Sequence, residues 1–344
     1  MKPTLRTLRS PLRLRLGVLG AACALALGWW GPVRGQERMP APSRTNGSTV
    51  PSDIPEGYTI IEGDIQVPLA FLHLRAPNSV WATNFWTNGV VPYEFDANVT
   101  AAHRTAMITA MGDWEAAANV DFRARSGDAN YVHIQASTGN NSAVGMQGGM
   151  QIINIYNWNV EFTMAHELGH CLGIWHEHTR SDRDSFITVN WDNIQDAYES
   201  QFALNTGASH YGPYDFDSVM HYDQCGFSID CAAGATCTCT NVVMTVKPPN
   251  QSWQTLIGQR DHLSELDQLV MSFLYPPANW RWVDGNYGGT ELGTFLAPYR
   301  QFTTGAANTP SGGTLWVQPN TYSAVGTFSS AVTIQAPQGN VLLH

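Results

Sequence analysis

The spacing of apolar and polar positions divides the chain of 344 residues into stretches of different character. "GVVPYEF", "YVHIQ" and "MQIINIY" carry the short apolar runs or the two-residue alternation of β-strands. "VTAAHRTAMITAMGDWEAAAN" repeats its apolar residues at helical spacing instead, with Ala102, Met107, Ala110, Met111 and Trp114 near one face. Residues 163–172 read as a second helix, which must stop at Gly173, because glycine takes the left-handed conformation that ends a helix. "SELDQLVMSFLY" opens with Ser264 and has Asp267 three residues on, a capping box in which Asp replaces Glu, and the "PP" at 276–277 ends that third helix. Glycine-rich connections such as "STGNNSAVGMQGG" separate these elements, and from residue 85 the pattern is that of a folded domain.

The flanks are different material. Residues 1–35 place Lys2, Arg6, Arg9, Arg13 and Arg15 before the apolar "LGVLGAACALALGWW", and small residues follow up to Gln36, the pattern of a secretory signal. "QERMPAPSRTNGSTVPSDIPEG" is a linker-like stretch without an apolar period. Residues 58–75 regain some apolar character. The tail, 278–344, is rich in Gly, Thr, Ser and Tyr, with short strands such as "TLWVQP" and "AVTIQAP", and reads as a β-rich C-terminal appendage.

Charge and cysteine use fit export. Six of the 18 basic residues and none of the 28 acidic ones lie in residues 1–35, which leaves 12 against 28, a net −16 with Lys247 the one remaining lysine. Such a surface repels phosphate backbones and acidic lipids, so nucleic acid and membrane are poor partners. Cys225, Cys231, Cys237 and Cys239 cluster and predict two local disulfides, three connectivities being open. Cys171, among apolar neighbours, reads as a small buried thiol.

The chemistry concentrates in "HELGHCLGIWHEHTRSDRD", residues 166–184. Residues four apart share a helix face, so His166 and His170 can aim two imidazoles at one point. Gly173 turns the chain and lets His176 approach from another direction. Three imidazoles leave one position open, which distinguishes a catalytic zinc from a structural one. Glu167 lies within reach of a water there and is the candidate general base. HExxHxxGxxH followed by a Met-turn is the metzincin pattern. "SVMHY", 218–222, supplies Met220 as a hydrophobic floor under the rings.

These two segments resemble those of the astacin family of zinc endopeptidases. The resemblance runs from about "FWTNGVVPYEF" to "IGQRDHLSELDQLVMSFLY" and includes "AVGMQGGMQ" and "YDFDSVMHY". It implies an α+β, two-lobed zinc protease domain over residues 76–277, with the twisted sheet and zinc helix above a cleft and the Met-turn and closing helix below. It also implies one catalytic Zn2+, and protein or peptide substrates. Tyr222 then matches the tyrosine that stabilises the oxyanion, and Glu177 the glutamate that meets the mature N-terminus through water. Asp182, Arg183 and Asp184 match structural ion pairs. "IEGDI", 61–65, resembles the propeptide latch of the family, with Asp64 in the open zinc position; residues 36–75 then form a propeptide, and cleavage falls at Arg75–Ala76 or one residue later.

The sequence also departs from the family. Val120, Asn140 and the "YPP" after the last helix stand where animal members carry disulfide cysteines, and the cysteines of this chain sit after the Met-turn instead, near the wall that accepts the residue following the scissile bond. The tail is similar to one coil of a pectate-lyase-like β-helix, and a single coil cannot bury its own face. The combined expectation is a secreted zinc endopeptidase made as a zymogen. The rival is an inert secreted adhesive or matrix-binding protein on a protease scaffold.

Overall fold

The computed structural model describes residues 53–69, 84–206, 210–232, 237–326 and 330–344. The signal at 1–35, most of the linker and the expected cleavage point at 75–76 lie outside these residues. The first element is a hairpin of β1 (Tyr58–Ile61) and β2 (Ile65–Pro68), in which Ile61 faces Ile65 across residues 62–64. β3 (Val90–Phe95) follows, then α1 (Ala101–Ala117), β4 (Asp121–Ala124), β5 (Tyr131–Ala136), β6 (Ser142–Ala143), β7 (Met150–Ile155) and α2 (Glu161–Leu172). β4, β3, β5 and β7 form one parallel sheet in that spatial order. β2 pairs in parallel with β6, Ile65 opposite Ser142, and this pairing attaches the hairpin to the domain. Ile65 and Val67 are fully buried against Val144, and Gln66 Nε2 donates to Asn141 Oδ1 at 2.6 Å.

Thr100 caps α1 by accepting from the His103 amide. Met107, Ala110, Met111 and Trp114 are buried at the i, i+3, i+4, i+7 spacing of one face. Ala102 is exposed, contrary to expectation, because the first turn of the helix precedes its contact with the core. α2 lies against α1, with Trp114 Nε1 donating to the Ala165 carbonyl at 2.8 Å.

β8 (Ile187–Val189) pairs antiparallel with β9 (Met244–Val246). Around this pair Ile187, Phe202, Tyr214, Tyr222, Val243 and Met244 form a second apolar cluster. α3 (Glu265–Leu274) begins at the expected capping box, Ser264 Oγ accepting from the Asp267 amide and Asp267 Oδ2 from the Ser264 amide. Val219 and Met220 of the Met-turn, and Met271 and Tyr275 at the closing helix, bury their apolar groups in the cluster of α1 and α2. α3 needs a partner for its apolar stripe, and α1 supplies it.

The tail contains β10 (Trp280–Val283), α4 (Phe302–Asn308), β11 (Thr314–Val317), β12 (Thr321–Tyr322), β13 (Thr333–Gln335) and β14 (Leu342–Leu343). β10, β11 and β13 stack in parallel, as do β12 and β14. The stack is not self-sufficient. Phe273 of α3 is buried among Trp282, Phe295 and Trp316, at ring separations of 5.7, 4.9 and 4.8 Å. No helix among the described residues is long and apolar enough to cross a membrane.

Candidate metal centre

α2 carries two of the three histidines on one face, and its end delivers the third. Gly173 adopts φ +110°, its amide and that of Ile174 close the helix on His170 and Gly169, and a β-carbon on Gly173 would meet the Phe85 ring at 2.9 Å. The chain then turns so that His176 faces back. The Nε2 atoms of His166, His170 and His176 lie 3.1, 3.2 and 3.3 Å apart. The Asp64 carboxylate comes to 3.3, 3.7 and 3.1 Å from the same three nitrogens. Four ligands at about 2.05 Å from a zinc ion sit at tetrahedron corners about 3.3 Å apart. The observed edges match that figure, so the donor set fits zinc.

The ring orientations are fixed from behind. His166 Nδ1 donates to the Val219 carbonyl and His170 Nδ1 to the Ile174 carbonyl, each at 2.8 Å, while His176 Nδ1 donates to Glu62 Oε2 at 3.0 Å. A proton held on each Nδ1 leaves the Nε2 lone pair free for a metal. Burial depresses His166 to about 4 and holds His170 well below its ordinary value, so both rings are neutral, as ligation requires. Burial acts the same way on His176, but the Asp64 and Glu62 carboxylates outweigh it and raise that ring to about 9. Burial also opposes ionisation of Asp64; the three imidazoles overcome it and hold the acid well below the usual range.

Glu167 is buried beside this cluster, and among the described residues its Oε2 has no hydrogen-bond partner. Burial, followed by the nearby charge of Asp64, pushes its carboxyl well above the ordinary value, with Arg260 opposing. Met220 lies under the helix turn that carries the ligands: a β-carbon on Gly169 would come within 2.8 Å of Met220 Sδ. The Tyr222 ring stacks on His178 at 4.1 Å and lies 4.6 Å from His176, and its hydroxyl donates to the Glu62 backbone carbonyl. Burial, with Asp64 and Glu62 next, raises the Tyr222 phenol well above 10.

Glu177 faces away from the cluster. Its Oε1 accepts from Arg180 Nη1 at 2.9 Å and from the Asp215 amide at 2.8 Å, and burial pushes the acid up to about 8. It lines a cavity of about 110 Å³ together with Phe85, Gly173, Ser218 and Asp267. Arg180 pairs with Asp182, and Arg183 with Asp184. Cys225 bonds to Cys239 and Cys231 to Cys237, a nested arrangement and one of the three connectivities left open; Cys171 is a buried free thiol.

Sequence reasoning missed three groups. Glu62 stood in the quoted "IEGDI" as an acid beside the latch, yet only the folded loop brings it to His176. Asp267 is legible as a helix cap alone; its carboxylate also accepts from Ser218 Oγ at 2.6 Å and the Val219 amide at 2.8 Å, which holds the residue whose carbonyl meets His166. Arg260 brings a positive charge felt by His166, Glu167 and Tyr222, and nothing in its local sequence pointed to the site.

Comparison with known proteins agrees with this geometry. The chain is 32% identical over 200 residues to an astacin-like metalloendopeptidase of Mus musculus, matching 57% of this chain and 45% of that one. It is 30% identical over 224 residues to high choriolytic enzyme 1 of Oryzias latipes, matching 63% of this chain and 77% of that one. The solved structure of that hatching enzyme, described as a zinc-protease, superposes with a TM-score of 0.51 at 30% identity, over 58% of this chain and 98% of the other. The chain thus spans less than half the length of the mouse relative. The matched family ends at residue 276, so the β-helix resemblance of the tail finds no support in it. The profile of the astacin peptidase family matches residues 79–276, more than half of the chain, and the protein belongs to that family.

Proposed function

We propose that the protein is a secreted zinc endopeptidase made as a zymogen. One observation supports this reading above the others: three buried Nε2 atoms and one carboxylate at tetrahedral spacing, with a buried carboxylate oxygen on Glu167 beside them that has no partner among the described residues. His166, His170 and His176 would hold the zinc, which when bound lowers the pKa of water and polarises a peptide carbonyl. Glu167 would accept a proton from the attacking water and return it to the leaving amine, a role supported by its burial, which raises its carboxyl well above the ordinary value. The Tyr222 hydroxyl, released from Glu62, would donate to the oxygen that gains charge in the transition state.

The position of Asp64 supports the latch. It fills the fourth corner that water needs, and the same loop engages the Tyr222 hydroxyl. Removal of residues 36–75 would free both, and the new N-terminus near Ala76 would reach the cavity beside Glu177, whose carboxylate matches an ammonium group. Export is supported by the basic-then-apolar start and by the two disulfides.

The test is cleavage of a fluorogenic peptide by the matured protein. Glu167→Gln should retain stoichiometric zinc and lose at least about a hundredfold in kcat, the usual worth of general acid–base assistance. Wild-type turnover in that variant, or turnover that survives exhaustive chelation, would rule out the mechanism.

A further inference from the structure

We propose that Glu62 is a positioning residue for the metal: while the prosegment is docked it orients the His176 ring, so the proenzyme holds zinc more tightly than the matured chain. This rests on the latch reading and extends it, because the prosegment then builds the metal site as well as blocking it.

The three ligands differ in what holds them. His166 and His170 rest on the Val219 and Ile174 carbonyls, groups of the catalytic domain that remain after maturation. Among the described residues, the acceptor given to His176 Nδ1 is Glu62 Oε2, which also accepts from Thr179 Oγ at 3.3 Å. Glu62 is the side chain that leaves with the prosegment. A carboxylate behind a ligating imidazole fixes its tautomer and strengthens it as a donor.

The loop is built to place this group. Glu62 adopts φ +47°, a left-handed conformation uncommon for any residue but glycine, and Gly63 follows at φ +79°. Such a conformation persists where the surroundings determine it. Here Tyr222 donates to the Glu62 carbonyl, the Ser142 amide donates to the Asp64 carbonyl at 2.8 Å, and Glu62 as a residue is 8% exposed. The two left-handed residues turn Glu62 and Asp64 onto opposite nitrogens of one ring, Nδ1 and Nε2 of His176. Zinc would accordingly be loaded before cleavage, into a site with its orienting carboxylate in place.

The test uses full-length proenzyme in a Glu167→Gln background, which prevents self-cleavage, and reads the zinc Kd by competition with a chromophoric chelator. Glu62→Ala should weaken zinc binding by about 10–100-fold, the usual effect of losing such a partner. Glu62→Gln, whose amide oxygen still accepts from Nδ1, should fall between Ala and wild type. After the prosegment is removed by limited proteolysis, all three proteins have the same sequence and should bind zinc alike, which shows that the Ala variant folded. An unchanged Kd in Glu62→Ala proenzyme overturns the proposal, as does a Gln variant no better than Ala. The latch reading fails separately, if Asp64→Ala proenzyme with Glu167 intact cleaves peptide no faster than the parent.

Discussion

At Gly63 the conformation and the available space make the same demand. Its φ of +79° disfavours any side chain, and an added β-carbon would lie 2.5 Å from the Tyr222 hydroxyl and 2.9 Å from the Phe227 ring. Gly63→Ala should therefore push the loop off the site and, on the proposed latch reading, raise peptide hydrolysis by the uncleaved full-length chain, measured on purified protein. A variant as silent as the parent would show that the hairpin tolerates the shift. The ligands, Glu167 and Asp64 were legible as residues because each occupies a fixed place in a local motif. Glu62, Arg260 and the second role of Asp267 were not. The site partners of Glu62 and Asp267 lie 114 and 48 positions away, and no spacing rule reaches across such distances.

The elements that could be read from the sequence are those that form from their own neighbours. α1, α2 and α3 show helical periods and signals at their ends, and β3, β5 and β7 show apolar runs between turns. β4, β6 and the pair β8–β9 do not, being two to four residues long and held by partners remote in the chain. The contact of α1 with α2 holds a further unsignalled feature. Asp113 of α1 is influenced by Glu161 of α2, and burial, then that neighbouring acid, raises Asp113 to about 6. An acid raised in the folded state favours folding fully below its ordinary value of 3.8 and withdraws that contribution as pH climbs through 6. Asp113→Asn should thus melt with the parent near pH 4 and a few degrees above it at pH 7–8. Thermal denaturation at both pH values decides the matter, and coincident curves at pH 8 would remove the repulsion from the account.

Over the whole molecule the hairpin, the catalytic region and the tail are tied together by a few specific contacts. The sequence indicated that the tail could not bury its own face, but not where it would dock, since the docking residue, Phe273, looks like any other apolar position of an amphipathic helix. It is 4% exposed and sits among Trp282, Phe295 and Trp316. Phe273→Ala should lower the thermal midpoint, at a cost of about 3–5 kcal/mol for a buried phenylalanine, while leaving the zinc content at one ion per chain. A midpoint within a degree of the parent would mean that the aromatic packing contributes little.

That packing bears on how the protein should be handled. A boundary drawn from family alignment would fall at residue 276 and discard the indole cover from an intact helix, presenting bare phenyl surface to solvent. Shortened preparations would then precipitate for a reason unrelated to catalysis, and a hydrophilic replacement at Phe273 should return them to solution.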